Sequence, residues 1–237
     1  MTTQTALAAA ASLVALAFAL STFERWLTRR RRHELAWSVA LGLFFCGSAA
    51  LWLGAANGWN GATFRAFYLF GAIVNVPVLA LGTIYLLGGP KRGDRWALAI
   101  AMGSAFAAGV LIQAPLRAPI VADRLPQGSD VFGPLPRVLA AVASAGGALV
   151  VLGGAAWSAW RFRRGRMLAA NLLIAGGTLV LGTSGLLNSV LDEMDAFSVT
   201  LAAGVTLLFL GFLLAAAGPA GAVRGSQPAV DVPAPNQ

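Results

Sequence analysis

The 237 residues are 58% hydrophobic and only 11% charged, too little charge to cover the surface of a soluble domain of this length. The net charge of +8 invites a nucleic-acid reading, but the basic residues sit in short turns between apolar runs and form no basic face, which argues against that class. The sole cysteine, Cys46, lies inside an apolar run, so intrachain disulfides and cysteine-based metal centres are excluded.

The first apolar run covers residues 5–21. No charged side chain precedes it, and Arg25, Arg29, Arg30, Arg31 and Arg32 follow, the reverse of a cleavable secretory signal. An uncleaved first helix with its N-terminus outside is expected. The second run (37–56) ends in the turn signal Asn57-Gly58-Trp59-Asn60-Gly61, and the third (64–87) closes at Gly88-Gly89-Pro90. Lys91, Arg92 and Arg95 introduce the fourth (96–114). The longest connection then carries Pro115, Pro119, Pro126, Pro134 and Pro136. The fifth run (137–160) ends in Arg161, Arg163, Arg164 and Arg166. The sixth (167–190) and seventh (196–217) flank an acidic turn, and residues 218–237 read as a disordered cytoplasmic tail.

Roughly 20 apolar residues cross a bilayer as a helix, and helices satisfy their own backbone there. The expected fold is therefore all-α: one polytopic domain of seven transmembrane helices over residues 1–217. All but Arg65, Arg117, Arg124 and Arg137 of the 17 basic residues fall in the first, third and fifth connections or the tail. Positively charged short loops stay cytoplasmic, which predicts the N-terminus outside and the C-terminus inside. Trp26, Trp37, Trp59, Trp96, Trp157 and Trp160 lie near the predicted interfaces, where amphipathic rings settle.

Phe23-Glu24-Arg25-Trp26-Leu27-Thr28-Arg29-Arg30 echoes Trp157-Ser158-Ala159-Trp160-Arg161-Phe162-Arg163-Arg164, and a glycine-rich helix follows each. The echo suggests a 3+1+3 pseudo-repeat with the fourth helix as connector; two out-in-out hairpins under one charge rule would also look alike. The plan resembles sugar-efflux transporters of the SWEET type in architecture only, because the proline-glutamine or proline-asparagine pairs of that group are absent. A microbial-rhodopsin reading fails, since the seventh run holds no lysine for a retinal Schiff base. Lys91 is the only lysine in a chain rich in arginine, alanine and glycine, a high-GC signature. With Phe67-Tyr68-Leu69-Phe70-Gly71-Ala72 and Val76-Pro77-Val78-Leu79-Ala80-Leu81-Gly82, the chain resembles seven-helix membrane proteins of actinobacterial-type bacteria. That likeness implies a bacterial cytoplasmic membrane and no particular activity.

Arg65, Tyr68 and Asn75 share one face of the third helix, with Asn75 about 15 Å deeper than Arg65. Pro77 lacks the N–H that would bond the carbonyl of Ile73, so a kink is expected there. A buried amide, a kink and a cationic mouth form a candidate ligand site. Alternatively, Asn75 bonds the freed backbone and Arg65 snorkels to headgroups. In the sixth helix, Thr178, Thr183, Ser184 and Asn188 are either packing groups or, at Asn188, a partner for Arg65 across a vestibule. Arg117, Asp192, Glu193 and Asp195 form a candidate outer rim. The proline-rich connection reads as a lid or an ordinary long loop.

No Ser-His-Asp set is available, because His33 is the only histidine and lies among arginines; no metal site, cofactor or enzyme activity is expected. Two functions remain: a small-solute carrier with a midplane polar site, or a non-catalytic sensor or accessory subunit acting through a partner membrane protein. The second draws on the small-residue faces Gly42/Cys46/Ala50 and Ala140/Ser144/Ala148, suited to a partner or a homo-oligomer. Expected partners otherwise are the bilayer and anionic lipid headgroups at the arginine loops, with no nucleic acid.

Overall fold

The computed structural model describes residues 3–161, 166–191 and 194–216. Its long helices are α1 (Thr3–Arg29), α2 (Arg32–Asn57), α4 (Asn75–Gln113), α6 (Pro134–Arg161), α7 (Arg166–Leu191) and α8 (Met194–Ala216). Short α3 (Gly61–Phe67) runs through a π-helical segment, Tyr68–Val74, into α4, and one-turn α5 (Gly128–Val131) sits in the proline-rich connection. No strand occurs among the described residues.

Among the described residues, four stretches are long and apolar enough to cross a membrane: Ala8–Arg29, Arg32–Asn57, Gly61–Gln113 and Pro134–Trp160. At 53 residues, Gly61–Gln113 would measure about 80 Å if straight, more than twice a hydrocarbon core of about 30 Å. It is not straight. Gly89 leaves helical geometry at φ 76°, in the left-handed region that glycine tolerates, and Pro90 restarts the helix where its missing N–H has no intrahelical role. The first helix outruns its expected end near Ser21 and continues to Arg29, leaving only Arg30 and Arg31 to turn the chain into α2. Arg30 makes that turn at φ 53° and donates its N–H to the Trp26 carbonyl at 2.7 Å.

Neighbouring helices close a ring in the order α1, α2, α4, α6, α7, α8 and back to α1. A small apolar cluster of Ala15, Phe44 and Val205 and two larger ones fill it among the described residues. Of the larger two, one combines Leu51, Trp59, Phe64, Ile73, Leu111 and Phe132; the other gathers Phe18, Leu41, Leu79, Val151, Leu208 and Phe212. The ring is apolar on its outside as well as within. Leu13, Leu98, Met102, Val142 and Leu149 point outward, each at least 65% exposed, while Ser12, Thr22, Ser38, Ser48 and Asn75 are buried. Many large apolar side chains facing outward on long apolar helices suit a hydrocarbon solvent, so the architecture suggests a membrane protein.

Candidate functional site

Proline chemistry shapes the middle of the α3–α4 stretch. Pro77 offers no N–H to Ile73 and its ring crowds that carbonyl. The turns just before it widen into the π segment Tyr68–Val74. Such segments recur at functional sites inside α-helices. Here the loosened backbone is gripped from two sides. Ser144 of α6 donates its hydroxyl to the Ala72 carbonyl at 2.6 Å, satisfying an acceptor in the widened turns. From α2, Gly47 approaches so closely that a Cβ there would lie 3.1 Å from the Gly71 nitrogen.

Asn75 follows the π segment directly and is 7% exposed. Its sequence neighbours divide between the two larger clusters: Ile73 and Val74 pack into the first, Val78 and Leu79 into the second. The amide therefore lies between two apolar plugs. The buried side-chain atoms that lack a hydrogen-bond partner among the described residues are Arg25 Nε, Glu34 Oε2, Trp37 Nε1 and Trp59 Nε1, and the Asn75 amide is not one of them.

The plug on the side of the proline-rich connection is aromatic. Phe132, fully buried, stacks on Phe64 at 5.2 Å between centroids and 9° between planes, and meets Tyr68 at 5.0 Å. The connection is laid down as a cap: the Trp59 N–H donates to Ala122 at 2.8 Å and the Arg117 N–H to Val131 at 2.9 Å. Arg65 does not project into a mouth. Its guanidinium donates to the Leu111 carbonyl and, at 2.7 Å, to the Ala114 carbonyl, and it lies 5.8 Å from the Phe132 ring centre. The cation thus caps the unpaired carbonyls at the end of α4 and leans on the aromatic plug.

At the arginine-rich end, Trp37 packs on Phe212 at 4.7 Å and Phe18 on Phe209 at 4.8 Å. Arg32 of α2 pairs with Asp94, and Tyr85 donates its hydroxyl to the same carboxylate at 2.9 Å. This ties the α1–α2 turn to the Gly88–Arg95 turn, outside the apolar runs. Hydrogen bonds from Arg32 and Tyr85 hold the Asp94 carboxyl below the usual carboxylate range. Because that pKa is depressed, the contact is intact at neutral pH and is lost only as acidification passes the lowered value. The pair is exposed, so its worth is small and salt-sensitive.

Glu34 is the residue that pattern reading missed. It is 6% exposed, its Oε2 is buried without a hydrogen-bond partner, and Arg29 reaches its Oε1 at 3.9 Å. Arg25, whose Nε is likewise buried and unpartnered, shares the region. The signal was a lone acid two residues after four consecutive arginines, with His33 between, at the start of an apolar helix.

The remaining candidates divide. Tyr68 belongs to the aromatic plug, Asn75 and Pro77 to the stretch between the two larger apolar clusters, and Arg65 to the α4 cap, so the shared face is divided among three tasks. Arg117 is exposed, with its guanidinium beside Gly133. Thr178 returns its hydroxyl to the Ile174 carbonyl at 2.8 Å, a packing role. Asp192 and Glu193 lie outside the described residues, as do the side chains of Thr183, Ser184, Asn188 and Asp195. No family model, curated protein or solved structure matches the chain.

Proposed function

We propose a seven-span protein of a bacterial cytoplasmic membrane, N-terminus outside and C-terminus inside, that binds and carries a small uncharged or weakly anionic solute and performs no catalysis. The observation that carries the solute reading is Asn75: a buried amide between two apolar plugs, directly after the π segment that precedes Pro77. An amide presents two donors and a carbonyl acceptor, so it can bond a polar solute seated beside it. The Phe132 stack on one side and the apolar cluster around Phe18, Leu41 and Phe212 on the other leave Asn75 enclosed in the described state. The seven-span count draws on the Gly89 break, which divides 53 helical residues into two crossings, and on the apolar stretches Leu168–Leu181 and Val199–Leu214.

Liposomes carrying the purified chain should take up members of a panel of small polyols and amides faster than empty liposomes. Asn75→Leu, which keeps volume and removes the amide, should fold and lose that uptake. Equal rates for the parent and for empty liposomes would end the carrier reading. Topology is read separately: with Cys46→Ser as background, an impermeant thiol reagent added to intact cells should label Asp123→Cys and spare Arg95→Cys. The reverse pattern refutes the orientation.

One observation favours the accessory-subunit reading. The part of α4 beyond Pro90 carries exposed Trp96, Leu98, Met102 and Phe106. A partner helix could cover that face. Recovery of a single stoichiometric membrane protein by crosslinking from that face, together with no solute uptake, would decide for it.

A further inference from the structure

A groove of roughly 310 Å³ opens sideways between α4 and α6 at the arginine-rich end, lined by Thr83, Leu87, Arg92, Val150, Gly153 and Gly154. We propose that it holds one anionic phospholipid, with the phosphate on Arg92 and an acyl chain along the glycine-lined trough; this rests on the membrane reading above. The trough exists because two side chains are missing. A Cβ on Gly154 would lie 2.4 Å from the Thr83 methyl, so α4 and α6 close on each other there. A Cβ on Gly153 would meet nothing within 4 Å, which leaves the space beside that contact open.

The walls are apolar and accessible: Leu87 is 47% exposed and Val150 38%. In a bilayer such a trough is filled by hydrocarbon, and an acyl chain is the mobile hydrocarbon at hand. The rim decides which lipid. Asp94, the one acid in this turn, is already paired with Arg32. Arg92 has no ion-pair or hydrogen-bond partner in the described structure, and its planar fork fits a phosphate with two parallel bonds. Trp157, one turn beyond Gly153, is exposed, as an indole at headgroup level would be. Acyl trough, cationic rim and interfacial ring thus follow one another in the order in which a phospholipid presents chain, phosphate and headgroup.

The test uses the full chain in detergent, titrated with phosphatidylglycerol, phosphatidylcholine or glycerol phosphate and read by native mass spectrometry. One phosphatidylglycerol should stay bound under conditions that strip phosphatidylcholine. Arg92→Gln should weaken its binding about tenfold, the loss of one charge-assisted contact. Arg95→Gln, the control for diffuse surface attraction, should change it little. Gly153→Leu should block the lipid whatever its headgroup. If Arg95→Gln weakens binding as much as Arg92→Gln, or if glycerol phosphate competes as well as the whole lipid, the site is overturned. Should the chain stay soluble once detergent is diluted away, the lipid site falls together with the membrane reading. A chain that needs detergent yet shows no preference among lipids overturns the lipid site alone.

Discussion

Gly147→Leu is expected to unfold the bundle in mild detergent, while Gly146→Leu, one residue earlier, leaves it intact. At Gly147 a Cβ would sit 2.8 Å from the Val76 carbonyl oxygen and 2.9 Å from its carbon. Both are backbone atoms, so no side chain can swing aside. The two helices must separate, which also breaks the Ser144 bond to Ala72 and empties the contact around the π segment. Overpacking alone costs about 1–3 kcal/mol, and the buried hydrogen bond adds about 1 kcal/mol. Against a total stability of about 5–15 kcal/mol, with a branched side chain aimed at immovable backbone, loss of the fold is the expected end. Gly146 has open space around its Cβ position. Leucine there gains helix propensity of up to about 1 kcal/mol, so its thermal midpoint should match or exceed the parent's. Melting both variants by tryptophan fluorescence decides the matter; equal losses would refute the helix contact described here.

The same asymmetry recurs in each glycine doublet of the second half of the chain. Gly153 and Gly176 are open on their Cβ side, whereas Gly154 meets Thr83 and Gly177 meets the Gly204 carbonyl at 2.8 Å. Composition alone marks these helices as glycine-rich, and small residues are what let helices approach in lipid. It does not say which member of a pair turns inward, because that depends on where the neighbouring helix lies. The ring order comes from long-range contacts and has no local pattern. Apolar run length, by contrast, is local, and the long helices stood out from it alone.

The candidate site divides along the same line. Pro77 was legible as a gap in the hydrogen-bond ladder, and the helix widens into the π segment shortly before it. Asn75 was legible as a polar group in an apolar run. The fate of Arg65 was not. Its partners, the Leu111 and Ala114 carbonyls, lie 46 and 49 residues away and become neighbours only when α4 folds back along the bundle. Glu34 was hidden for a similar reason: burial beneath arginines is a tertiary fact.

Phe132→Ala is expected to destabilise the chain by about 3–5 kcal/mol and to open its outer end. Phe132 lies outside the long helices, yet it is fully buried, stacked on Phe64, against Tyr68 and beneath the Arg65 guanidinium. Alanine leaves a cavity at the centre of that stack and removes the ring from Arg65, a further loss of about 0.5–1 kcal/mol. The Arg65 bonds to the end of α4 remain, so the helices stay anchored while the stopper goes. Openness can be read directly. With Cys46→Ser and Asn75→Cys as background, an impermeant thiol reagent from outside should react slowly with the parent plug and quickly with the Phe132→Ala form. Leu125→Ala supplies the control, because Leu125 is buried in the same cluster but has no place in the ring stack. Its loss should cost about 2–5 kcal/mol and leave the thiol protected. If both variants expose it alike, general loosening is the cause and Phe132 is no gate; if only Phe132→Ala does, the ring stack is the barrier between the outer surface and Asn75.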